Sequence, residues 1–448
     1  MNWKKTAYLS YAALRGYRFP ALLSSYWREH ERGAANEVAT RRLVELLRHC
    51  QRSVPYYTRV MQDLENKPSE DGDPRAYLTR LPILTKAMIR SNFVRLQSVD
   101  LDRRKWFYNT SGGSTGEPVR LIQDREYDDR SKATSLLCHA LLGCDVGKPI
   151  VRLWGSERDL EGGTQSAKAA FFNWLTNTTW LNAFHMSPQR MREYVDTLNH
   201  LRPALILAYA QAAYELARFM EREKLSVAPQ QAILTSAGTL YPFMREKIAQ
   251  VFGCRVYNLY GSREVSVVGC EVPGVEGLWV IPWSNFVEIL DDDGRAVRPG
   301  EEGNIVVTCL TNFAMPLVRY WIGDRGALEP QRATQGSMAS QVLKTVSGRN
   351  VDMFRTREQK VVDGEYFTHL LYFRPWIWKF QIVQKAHEHL LFKIVTADSG
   401  PTRAELEEIA ARSRLVMGHD CRIDFEFPDE LPAHPAGKYL YTISEVSA

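Results

Sequence analysis

The sequence has no apolar run long enough to cross a bilayer. A spanning helix needs about 20 apolar residues, and the most apolar stretch, Pro203 to Tyr214, falls short of that. It has no Cys-x-x-Cys pair. Its seven cysteines, Cys50, Cys138, Cys144, Cys254, Cys270, Cys309 and Cys421, are odd in number and scattered. That argues against a disulfide framework and for a reducing, cytoplasmic setting. The phosphate-loop pattern GxxxxGK[ST] is missing, and so is HExxH, since Glu388 lies between His387 and His389 without that spacing. No basic block or stripe occurs, although 57 Lys and Arg against 52 Asp and Glu leave a formal net charge of +5. A nucleic-acid partner is therefore not expected. At the N-terminus, Lys4 and Lys5 precede an apolar patch that Arg15 and Arg18 interrupt. This reads as a helix packed on the body, not as a signal peptide.

What is present is a globular composition. The 448 residues are 45% hydrophobic and 24% charged, close to the soluble average and too long for a single ordinary core. The first hundred residues read mainly as helix, with Ala39, Leu43, Leu46, Leu47 and Cys50 at helical spacing. Thr85 is placed to cap a helix after Leu81-Pro82-Ile83-Leu84. From Asn109 to about Asp324 short apolar runs such as Ala204–Leu207 and Ala232–Thr235 alternate with helical patterns such as Pro242–Phe252. This predicts an α/β body with helix-covered sheets. Asp291 to Arg295 is a hairpin turn. A last unit of about a hundred residues opens at Ser347-Gly348-Arg349. In it Phe380–Val383 and Leu390–Val395 read as strands, and Thr402 with Glu405 as the capping box of a helix.

Five short constellations carry chemistry. Thr110 to Pro118 is rich in Gly, Ser and Thr. Such a loop can curl several N–H groups and the hydroxyls of Ser111, Ser114 and Thr115 around a phosphate chain. Tyr257 to Glu264 ends a strand in aromatics, a Gly turn and a carboxylate. Aromatics can wall a nucleobase, and a carboxylate can hold Mg²⁺ against phosphate. Met315 to Asp324 ends in an Asp suited to two ribose hydroxyls. Ser347 to Asp352 sits at the domain junction, and Pro435-Ala436-Gly437-Lys438 puts a Lys after a Gly. Taken singly, each also fits an ordinary turn with solvated polar groups.

Together, in this order, they resemble the adenylate-forming superfamily of acyl-CoA synthetases, peptide-synthetase adenylation domains and luciferases. The nearest look is the phenylacetate-CoA ligase-like branch, with its capsular-polysaccharide-type and deazaflavin-cofactor adenylating relatives. The likeness includes Leu81 to Lys86, Thr235 to Pro242 and Phe380 to Gln384. It implies ATP and Mg²⁺ as cofactors and a small carboxylic acid, activated as its acyl-AMP, as substrate. Ser111, Gly112, Gly113, Ser114, Thr115 and Gly116 would clasp the β- and γ-phosphates. Ala237 and Gly238, with Tyr257 and Tyr260, would border adenine, and Gly261 and Ser262 would belong to the same nucleotide site. Glu264 would hold Mg²⁺. Asp324, helped by Arg349, would bind the ribose. Lys438 would reach from the small domain to the α-phosphate and the acyl carboxylate.

The implied fold is α/β. Residues 1–348 would form a large multi-subdomain N-terminal body, and 349–448 a small mobile α+β domain carrying Lys438. The acid would meet Trp154, Tyr209, Ala210 and Gln211, whose aromatics favour an aryl acid. The acceptor would be a thiol, amine or hydroxyl, with CoA or a carrier protein as thiol, and a homodimer is compatible with the resemblance.

Departures narrow this. Glu117 stands where the family's loop often has a cation, Trp321 and Ile322 replace an Arg and a Thr, and Val351 with Asp352 shifts the hinge Asp. Val361 to Phe367 replaces an Arg-Gly-x-Asn stretch that CoA ligases carry, which loosens the case for CoA. Cys270 and Cys309 lack the further ligands of a zinc site, with Trp279 where relatives have His. A phenylacetate-type CoA ligase, AMP transfer to a hydroxyl and a non-catalytic scaffold remain the alternatives.

Overall fold

The computed structural model describes residues 2–62, 64, 73–110, 119–154, 167–183, 186, 188–330, 341–349, 353–358, 361–371, 374, 376–397, 400–431 and 442–446. No helix among them is long and apolar enough to cross a membrane. The chain opens with helices α1 (Trp3–Leu14), α2 (Phe19–Glu31), α3 (Ala35–Ser53), α4 (Pro55–Val60), α5 (Pro74–Leu78) and α6 (Lys86–Ser91). α1 buries Tyr8 and Ala12, as a helix packed on the body does. Thr85 caps α6 by accepting the Met88 N–H at 3.2 Å.

A hairpin of β1 (Trp106–Thr110) and β2 (Arg120–Asp124) brackets residues 111–118. Strands and helices then alternate: α7 (Arg125–Leu141), β3 (Ile150–Trp154), α8 (Ala167–Thr176), β4 (Thr178–Asn182), α9 (Pro188–Leu201) and β5 (Leu205–Tyr209). α10 (Ala210–Arg222), β6 (Ala232–Ser236), α11 (Pro242–Phe252) and β7 (Arg255–Ser262) complete the run. The strands lie parallel in the order β4-β3-β5-β6-β7. α11 starts on Pro242, whose ring suits a first turn, and stops at Gly253, which takes the left-handed φ of 64°.

The alternation ends at β7, earlier than the pattern to Asp324 predicts. β8 (Ser266–Cys270), β9 (Leu278–Val280), β10 (Asn285–Leu290), β11 (Gly303–Cys309), β12 (Tyr320–Leu328) and β13 (Val342–Arg349) extend the same sheet antiparallel. Their order is β7-β8-β9-β13-β12-β11-β10. The linkers Arg263–Val265 and Glu271–Gly277 are too short for the crossover helix that a parallel return needs. Ser347, Gly348 and Arg349 are the last residues of β13, and the chain leaves the large sheet there.

The remainder is a separate α+β unit. β14 (Met353–Arg355) pairs with β15 (Val361–Asp363), and α12 (Glu365–Leu371) follows. β16 (Ile377–Ala386) and β17 (His389–Thr396) form an antiparallel pair. α13 (Arg403–Met417) begins with the Thr402–Glu405 capping box. β18 (Arg422–Glu426) and β19 (Thr442–Ser444) add parallel edges. One apolar cluster joins this unit to the body, with Phe219 and Phe252 on one side and Phe367 and Phe392 on the other.

The N-terminal helices are bound to the antiparallel half through Arg319. Its Nε and Nη2 donate to the Glu288 carboxylate, both at 3.0 Å. Its Nη1 reaches the Leu81 and Thr79 carbonyls at 2.6 and 3.0 Å. Both side chains are buried. Removing one partner strands the other charge in the interior, so Arg319→Met should destabilise the protein by about 3–5 kcal/mol. Equilibrium unfolding in urea measures it, and a loss under about 1 kcal/mol would contradict the role.

Candidate active site

The site forms where the sheet changes direction. The first half of β7 pairs in parallel with β6, from Ala232↔Arg255 to Thr235↔Asn258. β6 then ends at Ser236, while β7 runs on to Ser262 and pairs with β8 on its other side. The edge of β7 beyond Asn258 is thus left open, the crevice geometry at which open α/β sheets bind ligands. Ser236 Oγ donates to the Leu259 carbonyl at 3.0 Å and fixes the fork. Ala237 and Gly238 turn the chain away with φ of 53° and 148°. A left-handed non-glycine costs on the order of 1–3 kcal/mol and marks a position the surroundings enforce.

A cleft of about 690 Å³ opens between this turn and the end of β7. Ala237, Gly238, Tyr260, Ser262, Glu264 and Asp324 line it together. Gly261 lines it too, and there a bulge brings β8 against β7. The Tyr260 hydroxyl donates to Asp324 Oδ2 at 2.6 Å, across 64 residues of sequence. Arg349 stands opposite Asp324 in the β12–β13 register. Glu264 is 3% exposed, and its Oε1 accepts from the Tyr320 hydroxyl at 3.3 Å. Ser262 Oγ is buried and has no hydrogen-bond partner among the described residues.

Residues 111–118, with Ser111 to Gly116 among them, lie outside the described residues, as does Lys438. The strands flanking 111–118 are anchored beside Glu264. Gln123 Nε2, on β2, donates to the Arg263 carbonyl at 2.8 Å. Gln123 Oε1 accepts from Asn109, on β1, at 2.8 Å.

Tyr257 is not among the cleft residues. Strand side chains alternate between faces. Asn258 and Tyr260 line the cleft, while Tyr257 packs against the cluster of Trp279, Cys270 and Cys138; Leu259 touches both. Cys309 belongs to a different cluster and sits 3.4 Å from Thr311 Oγ1. Among the described residues no three His, Cys, Asp or Glu side chains are grouped to hold a metal. Mg²⁺ carried by a nucleotide needs less, one or two carboxylates beside the phosphates. Buried Glu264 and the unpartnered Ser262 hydroxyl in one wall fit that requirement.

Sequence reading missed the Arg245–Glu271 pair, which also lines the cleft. Arg245 grips the carboxylate at 2.9 and 2.8 Å, and Glu271 Oε2 accepts the Asn258 N–H at 2.7 Å. The pair clamps the first turns of α11 to β7. No local motif announces it, because its members lie in different elements. Of the expected acid-binding residues, Trp154 and Tyr209 face each other at the ends of β3 and β5 with ring centroids 4.2 Å apart. Ala210 and Gln211 border a neighbouring crevice with Gly238, Thr239, Tyr241 and Tyr366.

Residues 354–445 match the family model of the CapK C-terminal domain. Over 417 residues the chain is 24% identical to protein CapK of Staphylococcus aureus, covering 92% of this chain and 89% of that protein. It is 23% identical to the phenylacetate-coenzyme A ligase of Escherichia coli K12, with 86% and 84% covered. Its fold superposes with a TM-score of 0.60 on 2-hydroxyisobutyryl-CoA ligase in the postadenylation state in complex with R3-HIB-AMP. That match is 18% identical and covers 92% of this chain and 89% of the other. It is a likeness of fold.

Gly261 is required by the bulge that shapes the cleft. A Cβ there would lie 2.4 Å from the Ser266 carbonyl oxygen, which is backbone and cannot swing aside. Gly261→Ala should cost about 1–3 kcal/mol through overpacking. Thermal unfolding reads the loss, and an unchanged midpoint would show that β8 can yield there.

Proposed function

Because the chain belongs to the adenylate-forming superfamily, in its phenylacetate-CoA ligase-like branch, we propose that it activates a small carboxylic acid with ATP and passes the acyl group to an acceptor. An oxygen of the acid attacks the α-phosphorus. The bond from that phosphorus to the bridging oxygen of pyrophosphate breaks, and pyrophosphate leaves with the electron pair. Acyl-AMP remains. No protein nucleophile enters the balance. The protein's part is alignment of two anions and compensation of the charge that grows between them.

The observation that supports this best is the convergence of Glu264, Asp324, Ser262 and the strained Ala237–Gly238 turn on one cleft. In this reading Ala237, Gly238 and Tyr260 border adenine, with Gly261 and Ser262 beside the nucleotide. Asp324 takes the ribose hydroxyls with Arg349 opposite. The loop Ser111 to Gly116 clasps the β- and γ-phosphates. Glu264 holds Mg²⁺, which when bound would neutralise phosphate charge. Lys438 meets the α-phosphate and the acyl carboxylate. Tyr257 lies on the far face of β7 and takes no part in this reading. The paired rings of Trp154 and Tyr209, tilted 37° to one another, favour an aryl acid.

For the acceptor we infer that CoA is not obligatory. Where CoA ligases carry an Arg-Gly-x-Asn stretch, this chain places β15 and α12, and Val362, Tyr366 and Phe367 go into the core. An amine, a hydroxyl or a carrier-protein thiol then serves. The phenylacetate-type CoA ligase is the second reading, favoured by the names of the sequence relatives.

ATP–pyrophosphate exchange against a panel of aryl and alkyl acids tests the activity. Exchange should appear with at least one acid, and silence with all would favour a scaffold that kept the fold. Lys438→Ala should lower exchange by about 10²–10³-fold, the cost of one preorganised donor, with an unchanged unfolding midpoint. Glu264→Gln should shift the Mg²⁺ dependence. Wild-type exchange in both variants would remove these residues from the site. Product analysis with the acid, ATP and CoA decides the acceptor, and efficient acyl-CoA formation at micromolar CoA would overturn the inference against it.

A further inference from the structure

α1 is seated on the body through Tyr8 and Ala12. Trp3, Ala7, Ser10 and Leu14 fall on one line of its other face, at helical spacing. Ala7 is half-buried, but Trp3 is 54% exposed and Leu14 87%. α8 lies alongside and adds to the same surface. Its Trp174, 54% exposed, meets Trp3 with ring centroids 5.7 Å apart. Its Phe171, 46% exposed, lies 5.9 Å from Trp174 and 6.3 Å from Tyr11. Tyr11 in turn is one helical turn from Leu14. Three large aromatic rings and a leucine thus stand in water on one two-helix surface. Single exposed apolar side chains are ordinary, but a contiguous patch of large ones marks an interaction site.

The charge along this surface has one sign. Residues 1–28 hold Lys4, Lys5, Arg15, Arg18 and Arg28 and no acid, and α8 holds no acid either. Asp145, which bonds α1, is neutralised by Lys5 at 2.6 Å. Arg18 stands 3.9 Å from Glu126. Lys4 Nζ donates to the Trp174 carbonyl and to Asn177 Oδ1, both at 3.0 Å, and lies 5.5 Å from the centre of a Trp174 ring. An ammonium has three protons, so one is left for an anion. At the other end of the helix Arg15 follows Leu14 directly and is exposed. The patch therefore has a cation beside its apolar groups at each end, about 16 Å apart along the helix axis.

We propose that this face docks the protein on an anionic membrane surface. Trp3, Leu14, Phe171 and Trp174 enter the boundary between headgroups and acyl chains, and Lys4 and Arg15 meet lipid phosphates. Rings and aliphatic groups flanked by Lys and Arg are the side chains that settle at that depth, with the cations held at phosphate level. A protein partner would have to place acids opposite two cations at opposite ends of a helix. An anionic bilayer presents them everywhere. α1 lies along the surface without spanning it. None of these residues lines the nucleotide cleft, so the inference stands apart from the adenylation reading.

The test is co-sedimentation of the full chain with vesicles of phosphatidylcholine alone and of phosphatidylcholine and phosphatidylglycerol in equal parts. The wild-type protein should bind the mixed vesicles about 10- to 30-fold more tightly, the combined effect of two cations near an anionic surface. The double variant Lys4→Gln, Arg15→Gln should lose most of that preference. The double variant Leu14→Ser, Trp174→Ser should bind mixed vesicles about 10-fold more weakly or worse. Should that variant unfold, Leu14→Asp carries the test, because Leu14 is almost wholly exposed and its replacement leaves the fold intact. Absence of vesicle binding by the wild-type protein, equal binding to both vesicles, or binding unchanged in the variants would overturn the proposal. So would a wild-type dimer in sedimentation velocity that Leu14→Asp splits and that ignores vesicles, since the face would then belong to a second copy of the chain.

Discussion

The buried guanidinium of Arg319 is the contact on which the site depends. Four hydrogen bonds tie it to Glu288 and to the carbonyls of Thr79 and Leu81. Its backbone is pinned as well. The Arg319 carbonyl accepts from the Leu84 N–H at 2.8 Å, and the Leu84 carbonyl accepts from the Trp321 N–H at 3.0 Å. Leu81 to Leu84 is thereby laid along the start of β12 as a short parallel bridge. Burial pushes the Glu288 carboxyl above its usual range, and Arg319 opposes that. Such a pair adds little to stability beyond what an apolar pair would add, yet it is costly to break. Its effect is to specify a position. Tyr320, the next residue, is set with its hydroxyl on Glu264. Four residues beyond, the same strand delivers Asp324 to Tyr260.

A second constraint follows from strand length. A sheet whose strands ended together would offer no cleft. Here β6 stops short, and β7 continues as the first antiparallel strand. Backbone carbonyls without a ladder partner there are instead bonded by side chains: Ser236 Oγ caps the fork, and Gln123 ties the β1–β2 hairpin to the turn that carries Glu264. The residues that line the cleft thus arrive from separate stretches of the chain, tied together by hydrogen bonds such as Tyr260 to Asp324 and Arg245 to Glu271. This explains how stretches far apart in the sequence can line one cleft without any of them being conspicuous alone.

Local chemistry made much of this legible in the sequence. Pro242 and Gly253 bound a helix, Thr402 and Glu405 cap another, and the apolar runs of β5 and β6 declare themselves. That Glu264 and Asp324 stand out is because each ends a short motif, and Tyr260 lies within the first of them. What escaped is non-local or depends on parity. A strand shows its two faces alternately, so Tyr257 and Tyr260, both aromatic and three apart, go to opposite sides. The alternating pattern before β7 gave no warning that the sheet would turn antiparallel, since that is decided by linker length. Arg245 and Glu271 meet only after β7 and α11 have packed.

The contact between the two units obeys the same logic as Arg319. Arg412 is buried against Glu215 of the body, and Glu408 on the same helix pairs with Arg218 at 2.9 Å. Exposed members of such a network contribute little, and the buried pair roughly offsets its own desolvation. The network therefore selects an orientation more than it holds the units together. Glu215 is the shared member, because one of its oxygens serves both Arg412 and Gln211. Were the C-terminal unit to sit otherwise, Glu215 would lose a charge partner, and the amide of Gln211 would lose the neighbour that fixes its direction. The direction of the Gln211 amide and the seating of the C-terminal unit are in this way set by one carboxylate.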